Sequence, residues 1–95
     1  MIYMERHHRE IVNAILKKYS YTFYAFGSRV KGKQKSLSDF DICFFEKIPL
    51  NVQAHIDEDF EESDLPYKVD LIDWNACGSN FQERIIKDLV LIHTI

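Results

Sequence analysis

Two carboxylates stand one residue apart at the head of the most apolar run in the chain, Asp39 and Asp41 in "DFDICFFE". Side chains alternate along a strand, so the pair share one face, about 6.6 Å apart along the backbone, while Phe40 and Ile42 turn to the other. Like charges so placed resist ionising together unless a cation sits between them. Hard divalent ions such as Mg²⁺ accept oxygen ligands and keep room for substrate phosphates. Two such ions can clamp the attacking and leaving oxygens of a phosphoryl displacement. A site of this kind usually takes a third carboxylate from a neighbouring strand, and "YKVDLIDW" offers Asp70 and Asp73. Three positions apart, they face opposite sides of a regular strand. Asp70 is the choice: it sits mid-strand between Val69 and Leu71, where a charge needs a reason, whereas Asp73 lies near the strand end, where solvent is partner enough.

The other half of the chemistry lies upstream, in "FGSRVKGKQKS". Gly27 permits close approach of the backbone, and a turn or helix start behind it aims N–H groups at a phosphate. Ser28 adds a hydroxyl donor. Arg29, Lys31, Lys33 and Lys35 put four cations within seven residues where a triphosphate would enter. A lone Gly-Ser means little. At a strand end, followed by a basic loop, a D-x-D strand and a later acid, it belongs to a specific set. The plainer readings are a strand-entry cap for Asp39, an edge charge for Asp41 and a solvated loop for Lys33 and Lys35.

Positioning these groups takes several elements. Met4, Ile11 and Ile15 recur at helical spacing over about residues 3–18. "YTFYAF" reads as a strand, "GSRVKGKQKSLS" as a loop or single helical turn, and "DFDICFFE" as a second strand stopped by Pro49. Val52, Ile56 and Phe60 stripe a helix from about Leu50 to Glu62. "YKVDLIDW" is a third strand. Ser79 with Gln82 has the capping-box pattern, ahead of a helix striped by Phe81, Ile85 and Leu89. "VLIHTI" reads as a last strand or as the frayed end of that helix. The order α-β-β-α-β-α(-β) implies an α/β (α+β) fold in one domain, residues 1–95, with a mixed sheet flanked by helices. The second and third strands are expected to be parallel and the first two antiparallel.

With these residues in place, "FGSRVKGKQKSLSDFDI" resembles the signature of the minimal nucleotidyltransferases of the DNA-polymerase-β-like superfamily, and "VDLIDW" resembles their third-carboxylate strand. The likeness runs from about Tyr21 to Trp74, and among these proteins it is to the antitoxins paired with a small helical HEPN-domain toxin. It implies the nucleotidyltransferase fold and Mg²⁺-dependent transfer of a nucleoside monophosphate, usually AMP from ATP, to a tyrosine hydroxyl of the toxin. Carried over, Gly27, Ser28 and Arg29 bind the nucleotide, Asp39, Asp41 and Asp70 are catalytic and hold two Mg²⁺ ions, and Asp70 helps deprotonate the acceptor. The loop reads "GSRVKG" where relatives often have "GSRARG", which removes one bidentate phosphate contact at Lys31.

Composition narrows the classes. The 95 residues are 46% hydrophobic and 28% charged, as in an ordinary globular protein, with a net charge of −3 that speaks against bulk nucleic-acid binding. No apolar run is long enough for a membrane span, and "MIYMERHHRE" lacks a signal-peptide core, so a cytoplasmic location is expected. Cys43 and Cys77 have no CxxC spacing and read as reduced structural thiols. His7, His8, His55 and His93 show no ligand spacing. "DEDFEESD" carries six acids in eight positions, a solvated helix face or a surface for a basic partner. With no second domain to close over a nucleotide, a partner chain or homo-oligomer is expected. The rival to the enzyme is a binding module that neutralises its partner by forming a complex.

Overall fold

The computed structural model describes residues 2–94 and has helix α1 at Arg6–Leu16, strand β1 at Phe23–Phe26, a short helix α2 at Ser28–Lys31 and strand β2 at Phe40–Phe44. Helix α3 spans Leu50–Glu61, β3 Val69–Asp73, α4 Ser79–Ile85 and β4 Val90–His93, with 3-10 turns at Trp74–Ala76 and Ile86–Asp88. The four strands form one mixed sheet in the order β3-β2-β1-β4. β1 runs antiparallel to β2 and β4, and β2 runs parallel to β3 across α3. "VLIHTI" is therefore a strand from Val90 to His93, while Ile95 lies outside the described residues.

One sheet face builds the core. Ala25, Phe40, Ile42 and Phe44 meet Val12, Ile15 and Leu16 of α1 and Ile56 and Phe60 of α3. Phe23, Phe40 and Phe44 are fully buried, each contributing about 1.5–3 kcal/mol of transfer free energy. Asp59 clamps the two helices: it accepts the Tyr19 hydroxyl and pairs with Lys18 at 2.9 Å. Cys43 is fully buried, and burial pushes its thiol up to about 12, so it stays an inert core group. No helix among the described residues is long and apolar enough to cross a membrane.

Three local expectations are revised. Helix α1 begins at Arg6, not near residue 3, because the preceding segment is tied elsewhere: Tyr3 N–H donates to Arg29 O at 2.6 Å. The Ser79–Gln82 capping box does not form. Gly78 takes the cap position, so Ser79 is already helical, and the Gln82 amide donates to Trp74 O at 2.9 Å. Leu89 falls beyond α4, past the 3-10 turn.

Candidate active site

The chain leaves β1 at Gly27 with φ +86° and ψ −160°, a backbone conformation that favours glycine. Gly27 O then accepts Val30 N–H at 3.1 Å and Lys31 N–H at 3.2 Å, making the single helical turn α2. Gly32, at φ +73°, ends it. Directly opposite stands Asp41. A β-carbon on Gly27 would overlap Asp41 Oδ2 and come 3.3 Å from Cγ. The space over Asp41 exists because residue 27 has no side chain.

Asp41 lies second in β2, beside Phe26 of β1 and Asp70 of β3 in the sheet register. Paired residues share a face, so Asp41 and Asp70 project together, away from the core that holds Phe40 and Ile42. Asp39 stands one residue before β2 and is exposed. Burial, the Asp70 charge, the Asp39 charge and a hydrogen bond to Asp70 raise the Asp41 carboxyl to about 6. Asp73 pairs with Phe44 in the register and accepts Asn75 N–H at 3.0 Å, capping the turn behind β3.

The sequence pattern described as "Polymerase beta, Nucleotidyltransferase" matches residues 10–94. The chain belongs to this nucleotidyltransferase family. It is 46% identical over 86 residues to the probable protein adenylyltransferase MntA of Haemophilus influenzae, covering 86% of this chain and 75% of that protein. Among solved structures, a toxin–antitoxin with AMP-PNP superposes with a TM-score of 0.69 at 18% identity, over 92% of this chain and 73% of the other. A mutant of the toxin–antitoxin MntA-HpeT gives 0.68 at 18% identity, over 97% and 75%. At that identity the likeness establishes the nucleotidyltransferase fold.

In this nucleotidyltransferase the donor set suits hard divalent ions bound in an open manner. Among the described residues no three carboxylate, imidazole or thiol side chains are arranged to hold an ion by themselves. Mg²⁺ asks for less, since it keeps waters and takes substrate phosphates with only one or two carboxylates. The raised Asp41 marks a concentration of negative charge that a cation would relieve.

The basic loop of the nucleotidyltransferase divides. Arg29, assigned from the motif to the nucleotide, is 4% exposed. Its guanidinium donates to Ser38 O at 3.0 Å, Tyr3 O at 3.1 Å and Ser36 O at 3.2 Å, and lies 3.8 Å from the Tyr67 ring centroid. With three main-chain acceptors engaged, its place is beneath the loop that leads to Asp39. Lys31 pairs with Asp88 at 3.2 Å, whereas Lys33 and Lys35 are exposed. A groove of about 640 Å³ between residues 2–5 and 34–37 is lined by none of the three carboxylates. Chemistry, not size, locates the site.

One neighbour escaped the motif reading. Lys68 Nζ is 3.2 Å from Asp70 Oδ1, giving the carboxylate cluster an ammonium at its edge. The signal was present in "KVD", where residues two apart on a strand share a face.

Proposed function

We propose that this nucleotidyltransferase acts as a single-domain cytoplasmic antitoxin that transfers AMP from ATP to a tyrosine hydroxyl of a small HEPN-domain partner. The observation that carries the reading is the meeting of Asp41 with Asp70 beneath Gly27, with Asp39 one residue ahead of the strand. MntA, the relative with 46% identity, is named for protein adenylylation, and the toxin–antitoxin with AMP-PNP has the same fold, which supports both the nucleotide and the partner.

Asp39, Asp41 and Asp70 would hold Mg²⁺, two ions in the reading favoured here. Bound there, the ions supply charge neutralisation at the phosphates and at the two oxygens that exchange on phosphorus. The residues of the chain do the rest. Gly27 leaves the triphosphate room to approach the carboxylates, and Ser28, at the start of α2, offers it N–H and hydroxyl donors. Asp70 accepts the proton of the acceptor hydroxyl as its oxygen bonds to the α-phosphorus. The bond from that phosphorus to the bridging oxygen breaks, and pyrophosphate leaves with the electron pair. Arg29 fixes the loop that aims Asp39.

A second reading has one observation in its favour: the carboxylates do not form a ready-made cage among the described residues. On that reading the chain neutralises its partner by complex formation alone. The intact mass of the co-purified partner, before and after Mg²⁺ and ATP, separates the two. Gain of one or more AMP units, absent with Asp41→Ala, is the expected result. A stable complex whose partner keeps its mass and is fully controlled by Asp41→Ala would establish neutralisation by binding.

A further inference from the structure

Transfer needs a second substrate, whose hydroxyl must reach the phosphorus beside Asp70. β3 is an edge strand with β2 as its sheet neighbour. Phe40 N–H donates to Lys68 O, so alternation turns the main-chain groups of Val69 and Leu71 away from β2. Along that free edge runs a groove of about 480 Å³, bounded by Asp57, Phe60 and Glu61 of α3 and by Val69, Asp70 and Leu71 of β3. Its base is apolar, since Phe60 belongs to the core and Val69 and Leu71 pack against it. Its rim is acidic.

Asp57 and Glu61 are four residues apart, on one side of α3. With Asp70 they set three carboxylates against one lining ammonium, Lys68, which is itself paired to Asp70. A triphosphate is repelled by such a rim, and an ion has no use for an apolar base or an open strand edge. A polypeptide uses all three features: it can add main-chain hydrogen bonds along the edge, bury apolar groups and bring cations.

We infer that this groove is the docking track of the acceptor protein. An extended segment carrying lysine or arginine beside the acceptor hydroxyl lies along β3, its cations against Asp57 and Glu61 and its hydroxyl against Asp70. The hydroxyl rests on the transfer reaction proposed above; the docking does not.

The test uses two fluorescein-labelled peptides of about ten residues, one with a central tyrosine flanked by lysines, the other with the same tyrosine flanked by glutamates. Each is titrated with the full chain by anisotropy, without ATP or Mg²⁺. The lysine-flanked peptide is expected to bind, and to lose about tenfold or more in affinity with Asp57→Lys/Glu61→Lys. About 0.5 M NaCl is expected to weaken it as well, because the ions screen exposed pairs. The glutamate-flanked peptide is expected not to bind. Glu10→Lys/Glu83→Lys reverses two exposed charges elsewhere and is expected to leave binding intact. Equal binding of both peptides, binding indifferent to the groove variant in a chain of unchanged circular dichroism, or binding of neither overturns the inference. Adding Mg²⁺ and ATP then separates the two readings: a peptide that docks with this charge dependence but gains no AMP counts against the transferase and leaves the track standing.

Discussion

Gly27 and Asp41 occupy space that only one side chain can share: a β-carbon at position 27 would lie 3.3 Å from Asp41 Cγ and overlap its Oδ2. The glycine also holds φ +86° and ψ −160°, a region occupied almost only by glycine and costing an L side chain about 1–3 kcal/mol. Gly27→Ala is therefore expected to cost transfer about 100-fold by displacing Asp41, with the fold retained. AMP incorporation measured beside a thermal melt checks this. Wild-type turnover in the alanine variant would show that the contact between the two residues is not a constraint.

The Asp41 carboxyl has a second consequence, for stability. Its folded value of about 6 lies above the ordinary 3.8, so the folded state holds this proton more tightly. Stability attributable to the group then declines as pH rises from about 4 to 6, and the loss persists above. Asp41→Asn should lack this penalty. The metal-free variant is expected to be about 1–2 kcal/mol more stable than wild type at pH 7.5, with no gain near pH 3.5. Melts at the two pH values decide it, and a destabilised variant at pH 7.5 would contradict the assignment.

Arg29 carries structure, and its loss should be felt as such. Arg29→Ala leaves the carbonyls of Tyr3, Ser36 and Ser38 without their donor and is expected to cost about 2–4 kcal/mol. Arg29→Lys should recover only part, because one ammonium cannot fork to three acceptors as a guanidinium does. Urea denaturation of the three proteins measures the difference. If Arg29→Ala keeps full stability but weakens ATP binding, the guanidinium serves the nucleotide after all.

The start of α4 offers a contrast between neighbours. Ser79→Ala is expected to change stability by less than about 0.5 kcal/mol, since Gly78 and not Ser79 takes the cap position. Gln82→Ala removes the amide that donates to Trp74 O and should cost about 1 kcal/mol. The reverse ranking in denaturation experiments would restore the capping box.

Much of this was legible from spacing. The D-x-D pair and the mid-strand Asp70 rest on the two-residue alternation of strands, and α3 on an i, i+4 stripe; both periodicities survive packing. What spacing hides is competition for main-chain groups. Met4 has a helical interval to Ile11, yet the Tyr3 backbone is bonded to Arg29, and no local pattern foretells a partner 26 residues away. Ser79 fails as a cap through a shift of one residue. Arg29 stands where a phosphate ligand would be read, and only the course of residues 36–38 reveals that carbonyls claim it first.

Those carbonyls connect two places far apart in sequence. Tyr3 donates to Arg29 O and accepts from Arg29 Nη1, and the same guanidinium holds Ser36 and Ser38, the residues that deliver Asp39. The leading segment is thus a handle on the loop. Whatever is fused ahead of Ile2, whether affinity tag, fluorescent protein or surface tether, pulls on the same joint that aims Asp39.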